Sequence, residues 1–334
     1  MLFPVALRPY PGKWSHTMPI ASPEFLKVMK ILIATEKPFA AAAVNGIKTI
    51  AQEAGHEVAL LEKYTEKAQL LEAVADADAL IVRSDKVTAE VVAAAKNLKI
   101  VVRAGAGYDN LDLAACTEKG IVALNTPGQN ANAVAELVIA MMIYMSRNQF
   151  TPGTGMEIQG KRVGIQAYGN VGRLVAQKAK ALGMEVMAFD PFVPAEKIAE
   201  EGVTPAESLE QMYELCNFVS LHIPATPQTV GSIGYDLVSL MPKGGCLVNT
   251  ARKEVINEAE LDKVLTDRTD IKYVTDVAAD HMAEFVEKYG KRVFATPKKM
   301  GAETAEANVN AGLAAARQIC DFFATGCTKF QLNK

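Results

Sequence analysis

Residues 161–190, KRVGIQAYGNVGRLVAQKAKALGMEVMAFD, concentrate groups able to grip a phosphate-bearing ligand. An apolar run leads into Ala167-Tyr168-Gly169-Asn170-Val171-Gly172, an amphipathic segment follows, and a second apolar run ends at Asp190. Glycines let a backbone approach a pyrophosphate, a helix N-terminus supplies free N–H donors, and a carboxylate accepts from ribose hydroxyls. Asp190 falls 18 residues after Gly172, near the roughly 20 of a dinucleotide-binding βαβ unit. Tyr168, Gly169, Asn170, Val171, Gly172 and Asp190 are therefore the expected dinucleotide contacts. Asp190 repels a 2′-phosphate and no arginine directly follows it, so NAD is expected rather than NADP. Ala167 stands where the first glycine of such a turn usually does. Alanine tolerates positive φ poorly, so the turn is expected to keep φ negative or to differ slightly in shape. The plainer alternative is a βα turn whose glycines serve packing alone.

Three further regions gather cations beside turn residues. They are 82–88 (VRSDKVT) with 102–112 (VRAGAGYDNLD) and 125–130 (NTPGQN), then 249–261 (NTARKEVINEAEL), then 295–307 (ATPKKMGAETAEA). In this order, and with the nucleotide unit among them, they resemble the D-2-hydroxyacid dehydrogenase family, most closely its D-3-phosphoglycerate dehydrogenase branch. The resemblance runs from about residue 29 to the C-terminus, and no regulatory domain is expected after the final helix. It implies oxidation of D-3-phosphoglycerate to 3-phosphohydroxypyruvate with NAD, the entry to serine synthesis. The alternatives are another reaction of the scaffold, such as glyoxylate or hydroxypyruvate reduction, and an NADH-sensing interaction protein on the same fold.

The resemblance also implies roles. Arg252, within Asn249-Thr250-Ala251-Arg252, matches the family arginine that holds the substrate carboxylate and polarises the C2 oxygen, and a planar guanidinium suits that bidentate contact. Most of the family carries an acid/base histidine after Thr-Pro; here Thr296-Pro297 is followed by Lys298-Lys299-Met300-Gly301-Ala302. Counting back from Gly301 puts Lys299 on that position, and counting forward from Pro297 puts Lys298 there. Lys299 is preferred, because the glycine and the helix after it fix the chain more tightly. A lysine near its ordinary pKa of about 10.4 donates a proton readily and accepts one poorly. The usual glutamate partner is missing from Asp276-Val277-Ala278-Ala279-Asp280-His281, leaving Asp280 as the nearest carboxylate and His281 as a rival base. Asp276 matches a residue that bonds the nicotinamide carboxamide. His222 and Pro224 resemble cofactor-lining residues, and Thr250, Ala251 and Gly301 complete the expected cofactor contacts. Arg83, Ser84, Arg103, Ala104, Gly105 and Asn130 are expected around the substrate, with Lys86 as a further cation for a phosphate and Arg147 reaching the partner subunit's substrate.

The elements that must position these groups alternate. Apolar runs at 29–36, 56–62, 79–84, 100–105 and 121–127 read as strands, with helical periods at 40–54, 68–75 and 89–96 between them. The pattern resumes after Asp190, with strands at 217–224, 245–250 and 273–277 and helices at 207–214, 234–240 and 258–265. Strands alternating with helices imply α/β architecture: two Rossmann-like domains with parallel sheets. The expected layout inserts a nucleotide domain, 129–302, into a discontinuous substrate domain, 29–128 plus 303–334. A strongly apolar helix at 132–146 is hard to bury in one subunit, which suggests a homodimer. A long alanine-rich helix is expected over 302–323. Residues 1–28, rich in proline and without period, read as a leader or disordered arm, with a transit peptide as the lesser alternative.

The 334 residues carry 35 Lys plus Arg against 38 Asp plus Glu, a net charge of −3, which gives no general pull towards nucleic acid or an anionic membrane. Five cysteines lack CxxC spacing, and none of the four histidines lies near a cysteine pair, so no metal is expected. The cysteines read as reduced thiols of a cytoplasmic protein.

Overall fold

The computed structural model describes residues 27–334, so nearly all of the expected leader lies outside the described residues. Two parallel sheets organise the chain. The first is built from β1 (Lys30–Thr35), β2 (Glu57–Glu62), β3 (Ala79–Val82), β4 (Ile100–Arg103) and β5 (Val122–Asn125), in the spatial order β2-β1-β3-β4-β5. The second contains β6 (Arg162–Gln166), β7 (Glu185–Phe189), β8 (Thr204–Pro205), β9 (Phe218–Leu221), β10 (Cys246–Asn249), β11 (Lys272–Thr275) and β12 (Val293–Ala295), ordered β12-β11-β10-β9-β6-β7-β8. Central strands such as Ala79–Val82, Phe218–Leu221 and Cys246–Asn249 are buried at every residue. That explains their unbroken apolar character, because helices cover both faces of a parallel sheet.

Strand order reverses beside β1 in the first sheet and beside β6 in the second. Ligands of open α/β sheets bind beyond the strand C-termini at such switch points. The residues singled out above follow these ends: Arg83 after β3, Gly105 after β4, Gly169 after β6, His222 after β9, Arg252 after β10, Asp276 after β11 and Lys299 after β12.

The helix Ala131–Ser146 buries Ala135, Val138, Met142 and Met145 in a core shared with β6 and β7. Its other face, Leu137, Ala140, Ile143 and Tyr144, joins Phe150 and Phe294 around an apolar groove of about 500 Å³. The helix Ala305–Thr325 returns to the first sheet, burying Ala311, Ala315, Ala316 and Ile319 beside Ile31, Ile33 and Ile47. Its packing on the helix Ala41–Glu53 is close, since a Cβ on Gly46 would stand 2.4 Å from Leu313 Cδ2. It starts three residues later than expected because the Thr304 hydroxyl accepts from Ala307 N–H and caps it. The short helices Leu113–Glu118, Ala195–Glu200 and Met282–Tyr289 and the strands β8 and β12 were not expected, each being too brief for a period to show. Among the described residues no helix is long and apolar enough to cross a membrane. Cys116, Cys216 and Cys246 are buried free thiols, Cys320 is half-buried and Cys327 is exposed.

Candidate active site

The nucleotide turn is built as the sequence suggests in all but one respect. Ala167 adopts φ +76°, against the expectation of a negative value. The tertiary frame imposes this: Ala167 N–H donates to Phe189 O and Tyr168 N–H to Asp190 Oδ2, so β7 holds the chain on both sides of the bend. The cost is about 1 kcal/mol for a left-handed residue with a Cβ. Gly169 caps the helix Asn170–Ala181, and a Cβ there would meet nothing within 4 Å, leaving the backbone open to a ligand. Gly172 plays a different part, because a Cβ on it would lie 2.3 Å from Ala167 O; its absence lets helix and strand close together.

Asp190 accepts from Tyr168 N–H through Oδ2 and from Phe192 N–H through Oδ1, fixing the carboxylate at the end of β7. Tyr168 presents only its backbone to the turn. Its side chain is buried, with the hydroxyl on Glu201 and the ring beneath Arg173. Asn170 lies beside Gly128, while Val171 packs against the core beneath the turn.

A cation-lined cleft opens at the strand C-termini. One cavity of about 620 Å³ is bounded by Lys37, Arg83, Ser84, Arg103, Ala104, Gly105, Asn130, Lys298, Lys299 and Glu303, with Asn308 and neighbours from the last helix. A second, of about 480 Å³, shares Ser84, Arg103, Asn130, Lys299 and Glu303 and adds Asp109 and Arg252. A third, of about 270 Å³, brings Lys298 and Lys299 together with Arg252, Asp276 and Thr296. Lys299 lines all three.

The cations are held by backbone and side-chain acceptors. Arg83 donates to Pro38 O at 3.2 Å and to Asn308 Oδ1 at 2.5 Å, over the ring of Phe39. Arg103 Nε donates to Arg83 O at 2.9 Å. Its guanidinium folds over Gly105, which takes φ +149°, a conformation that favours glycine, and a Cβ there would force Nη1 to shift. Burial and the neighbouring Arg83 and Arg252 cations lower the Arg103 pKa. Arg252 is steadied by Nη1 on Ala251 O, while Asn249 Nδ2 donates to Arg252 O and Asn249 Oδ1 accepts from Ala251 N–H.

Desolvation lowers the Lys299 pKa, and the Arg252 charge adds to it, opposed by Asp276. Its side chain still touches solvent. The two observations agree for a residue on a cleft wall, where protein displaces much of the water without sealing the group away. Asp276 is buried and its carboxyl is raised by that burial, against N–H donation from Gly301 at 2.7 Å. A Cβ on Gly301 would stand 2.9 Å from Asp276 Oδ2, which explains the glycine.

Other expected site residues sit elsewhere. Asp280 is exposed with its carboxylate on Lys253 Nζ at 2.5 Å, which lowers its pKa, and it lines none of the three cavities. The carboxylates that accompany Lys299 are Asp276 and Asp109 instead. His281 is exposed beside Glu284. His222 contacts Ser220 through Nε2 and is pushed down to about 3 by burial, so it stays neutral at physiological pH. Pro224 is exposed, and its carbonyl accepts from Thr229. Arg147 is exposed at the end of the helix Ala131–Ser146, and neither it nor Lys86 lines these cavities. Lys37, Asp109, Glu303 and Asn308 escaped the sequence reading. Lys37 had a signal, lying two residues beyond the end of β1; Asn308, a turn inside a helix, had none.

The site suits a dinucleotide. Thr250 Oγ1 and Asp276 Oδ1 are buried without a hydrogen-bond partner among the described residues, both at strand C-termini on the same edge of the sheet that carries the open Gly169 turn. Unpaired buried acceptors and donors are rare enough to mark a place where a ligand completes them.

Sequence and structure comparisons agree with this geometry. Residues 132–298 match the family described as D-isomer specific 2-hydroxyacid dehydrogenase, NAD binding domain. The chain belongs to that family of NAD-dependent dehydrogenases. It is 36% identical over 272 residues to a D-3-phosphoglycerate dehydrogenase of Methanocaldococcus jannaschii, covering 76% of this chain and 51% of the relative. It is 35% identical over 283 residues to a hydroxypyruvate reductase of Thermotoga maritima, covering 79% and 90%. The chain thus spans about half the length of several curated relatives it matches. Among solved structures it resembles the NAD+-bound 3-phosphoglycerate dehydrogenase of Entamoeba histolytica, with a TM-score of 0.82, 48% identity, and coverage of 92% of this chain and 99% of that one.

Proposed function

We propose that the chain is a D-3-phosphoglycerate dehydrogenase, oxidising the 2-hydroxy acid to 3-phosphohydroxypyruvate and running the reverse reduction. The observation that carries this reading is the charge of the cavity of about 620 Å³: Lys37, Arg83, Arg103, Lys298 and Lys299 against the single carboxylate of Glu303. A substrate with both carboxylate and phosphate needs that excess, and a monoanionic hydroxy acid does not. Arg252 holds the carboxylate and polarises the C2 oxygen. Lys299 moves the proton at that oxygen, giving it to the keto acid in reduction and taking it from the alcohol in oxidation. NAD, when bound along the Gly169 turn, Asp190, Thr250 and Asp276, supplies the hydride acceptor.

Supporting features extend the reading. The expected division assigns Lys37, Arg83 and Arg103 to 29–128 plus 303–334 and Arg252, Lys298, Lys299 and the cofactor turn to 129–302, so closure between the two parts excludes water. The apolar groove beside Phe150 suits a second copy of the chain, giving a homodimer. Free, mostly buried thiols suit a reducing cytoplasm.

The test is a spectrophotometric comparison of NADH oxidation with 3-phosphohydroxypyruvate, hydroxypyruvate and glyoxylate. A clear preference in kcat/KM for the phosphorylated keto acid is expected. Equal or better use of hydroxypyruvate would favour the second reading, a hydroxypyruvate reductase, which the Thermotoga maritima relative supports through its 90% coverage. Tight NADH binding without turnover on any of the three would favour a sensing role.

A further inference from the structure

The carboxylate that the sequence assigned to the acid/base lysine, Asp280, is turned away onto Lys253. We propose that Asp109 is the acidic partner of Lys299, a positioning residue that governs the lysine's hold on its proton from the opposite wall of the cleft; the inference rests on Lys299 being the acid/base of the reaction above. Asp109 lies in the turn after β4, on the first sheet, whereas Lys299 follows β12 of the second. Both line the same cavity of about 480 Å³, and Arg252 lines it with them. A Cβ on Gly107 would stand 3.6 Å from Arg252 Nη2 and 3.7 Å from Asp109 Oδ2, so carboxylate and guanidinium flank one point at the cleft surface.

The charges around Lys299 come from every element that meets there. Arg252 after β10 and Arg103 after β4 repel its ammonium form, while Asp276 after β11 and Asp109 favour it. Lys298 adjoins it in sequence, and Glu303, Arg83 and Lys37 border the larger cavity. Asp276 exerts the larger attraction of the two here, but its Oδ2 accepts from the N–H groups of Gly301 and Met300 and its unpartnered Oδ1 is the atom assigned above to the dinucleotide. It also moves with Lys299, since both belong to the second sheet's loops. Asp109 is exposed and belongs to the other wall. Coulomb attraction rises as separation falls and water leaves. Narrowing the cleft around a substrate therefore strengthens Asp109's hold on the ammonium, readying the proton donor when the keto acid is enclosed.

The test reads the lysine directly. Competitive acylation of Lys299 at a series of pH values, quantified by peptide mass spectrometry on the full chain, gives its titration midpoint without turnover. Asp109→Asn is expected to lower that midpoint by about half a pH unit or more, as loss of a nearby charge should. Asp109→Glu is expected to restore it and Asp280→Asn to leave it unmoved. In turnover, the alkaline limb of keto-acid reduction should shift the same way, with kcat affected more than KM. A midpoint unchanged in Asp109→Asn, or an equal shift in Asp280→Asn, would overturn the proposal. Failure of the wild-type chain to reduce 3-phosphohydroxypyruvate would count against the proposed reaction instead, leaving the acylation result to decide the role of Asp109.

Discussion

Replacing Lys299 with methionine separates chemistry from binding. The substitution keeps the stem that lines all three cavities and removes only the ammonium. Burial and the Arg252 and Arg103 guanidinium groups outweigh the attraction of Asp276 and Asp109 on that ammonium, so its charge does not favour the folded state. Stability should therefore fall by no more than about 1 kcal/mol. The dinucleotide contacts of the Gly169 turn and Asp190 are untouched, and NADH titration by fluorescence should give a wild-type curve. Turnover should fall by about 10²–10⁴, the usual contribution of a positioned acid or base, equivalent to roughly 3–5 kcal/mol of barrier. Stopped-flow and steady-state NADH oxidation with 3-phosphohydroxypyruvate measure it. The neighbour supplies the control: Lys298→Met removes a cation from the cavity and should raise KM for the phosphorylated substrate while kcat holds. Equal loss of kcat in Lys298→Met, or a Lys299→Met enzyme within tenfold of wild type, would refute the assignment.

The two glycines of the nucleotide turn should fail in different ways. Gly172→Val crowds Ala167 O and Ile165 and should lower stability by about 1–3 kcal/mol, seen as a fall in Tm. Gly169→Ala should leave Tm nearly unchanged yet weaken NADH binding, because its methyl enters space the ligand needs; a reversed pattern would contradict the roles given to the pair. Asp270, half-buried, is held well below the usual carboxylate range, chiefly by hydrogen bonds from Arg268, which also ties down the carbonyls of Ser239 and Met241. A depressed folded-state value gives stability that is complete above the ordinary carboxylate pKa of about 3.9 and lost as pH falls through the folded one. The Tm gap between wild type and Asp270→Asn should thus be widest near neutral pH and close in acid; a gap constant with pH would show the charge to be irrelevant. Phe150, 71% exposed beside the groove, should be needed for dimerisation. Phe150→Glu should sediment as a monomer, and an unchanged sedimentation coefficient would remove this face from the interface.

Much of the architecture was written locally. Strands such as Ile100–Arg103 and Phe218–Leu221 announce themselves because a strand buried on both faces has no polar side to show, and the Gly169–Gly172 turn with Asp190 fixes a nucleotide unit by chemistry that neighbours in sequence supply. Arg252 and the Lys298-Lys299 pair were legible through the resemblance, one within Asn249-Thr250-Ala251-Arg252 and the others after Thr296-Pro297, where the family usually carries its histidine. What only the tertiary structure decided are meetings between distant segments. Ala167 takes φ +76° because β7 grips both its sides, overriding its intrinsic preference. Asp280, near Lys299's expected partner position in sequence, is claimed by Lys253, while Asp109 and Lys37 reach the cleft from the other sheet. A sequence records which side chains carry charge; which charges share a cavity depends on strand order and on how two sheets face each other, and neither is encoded at short range.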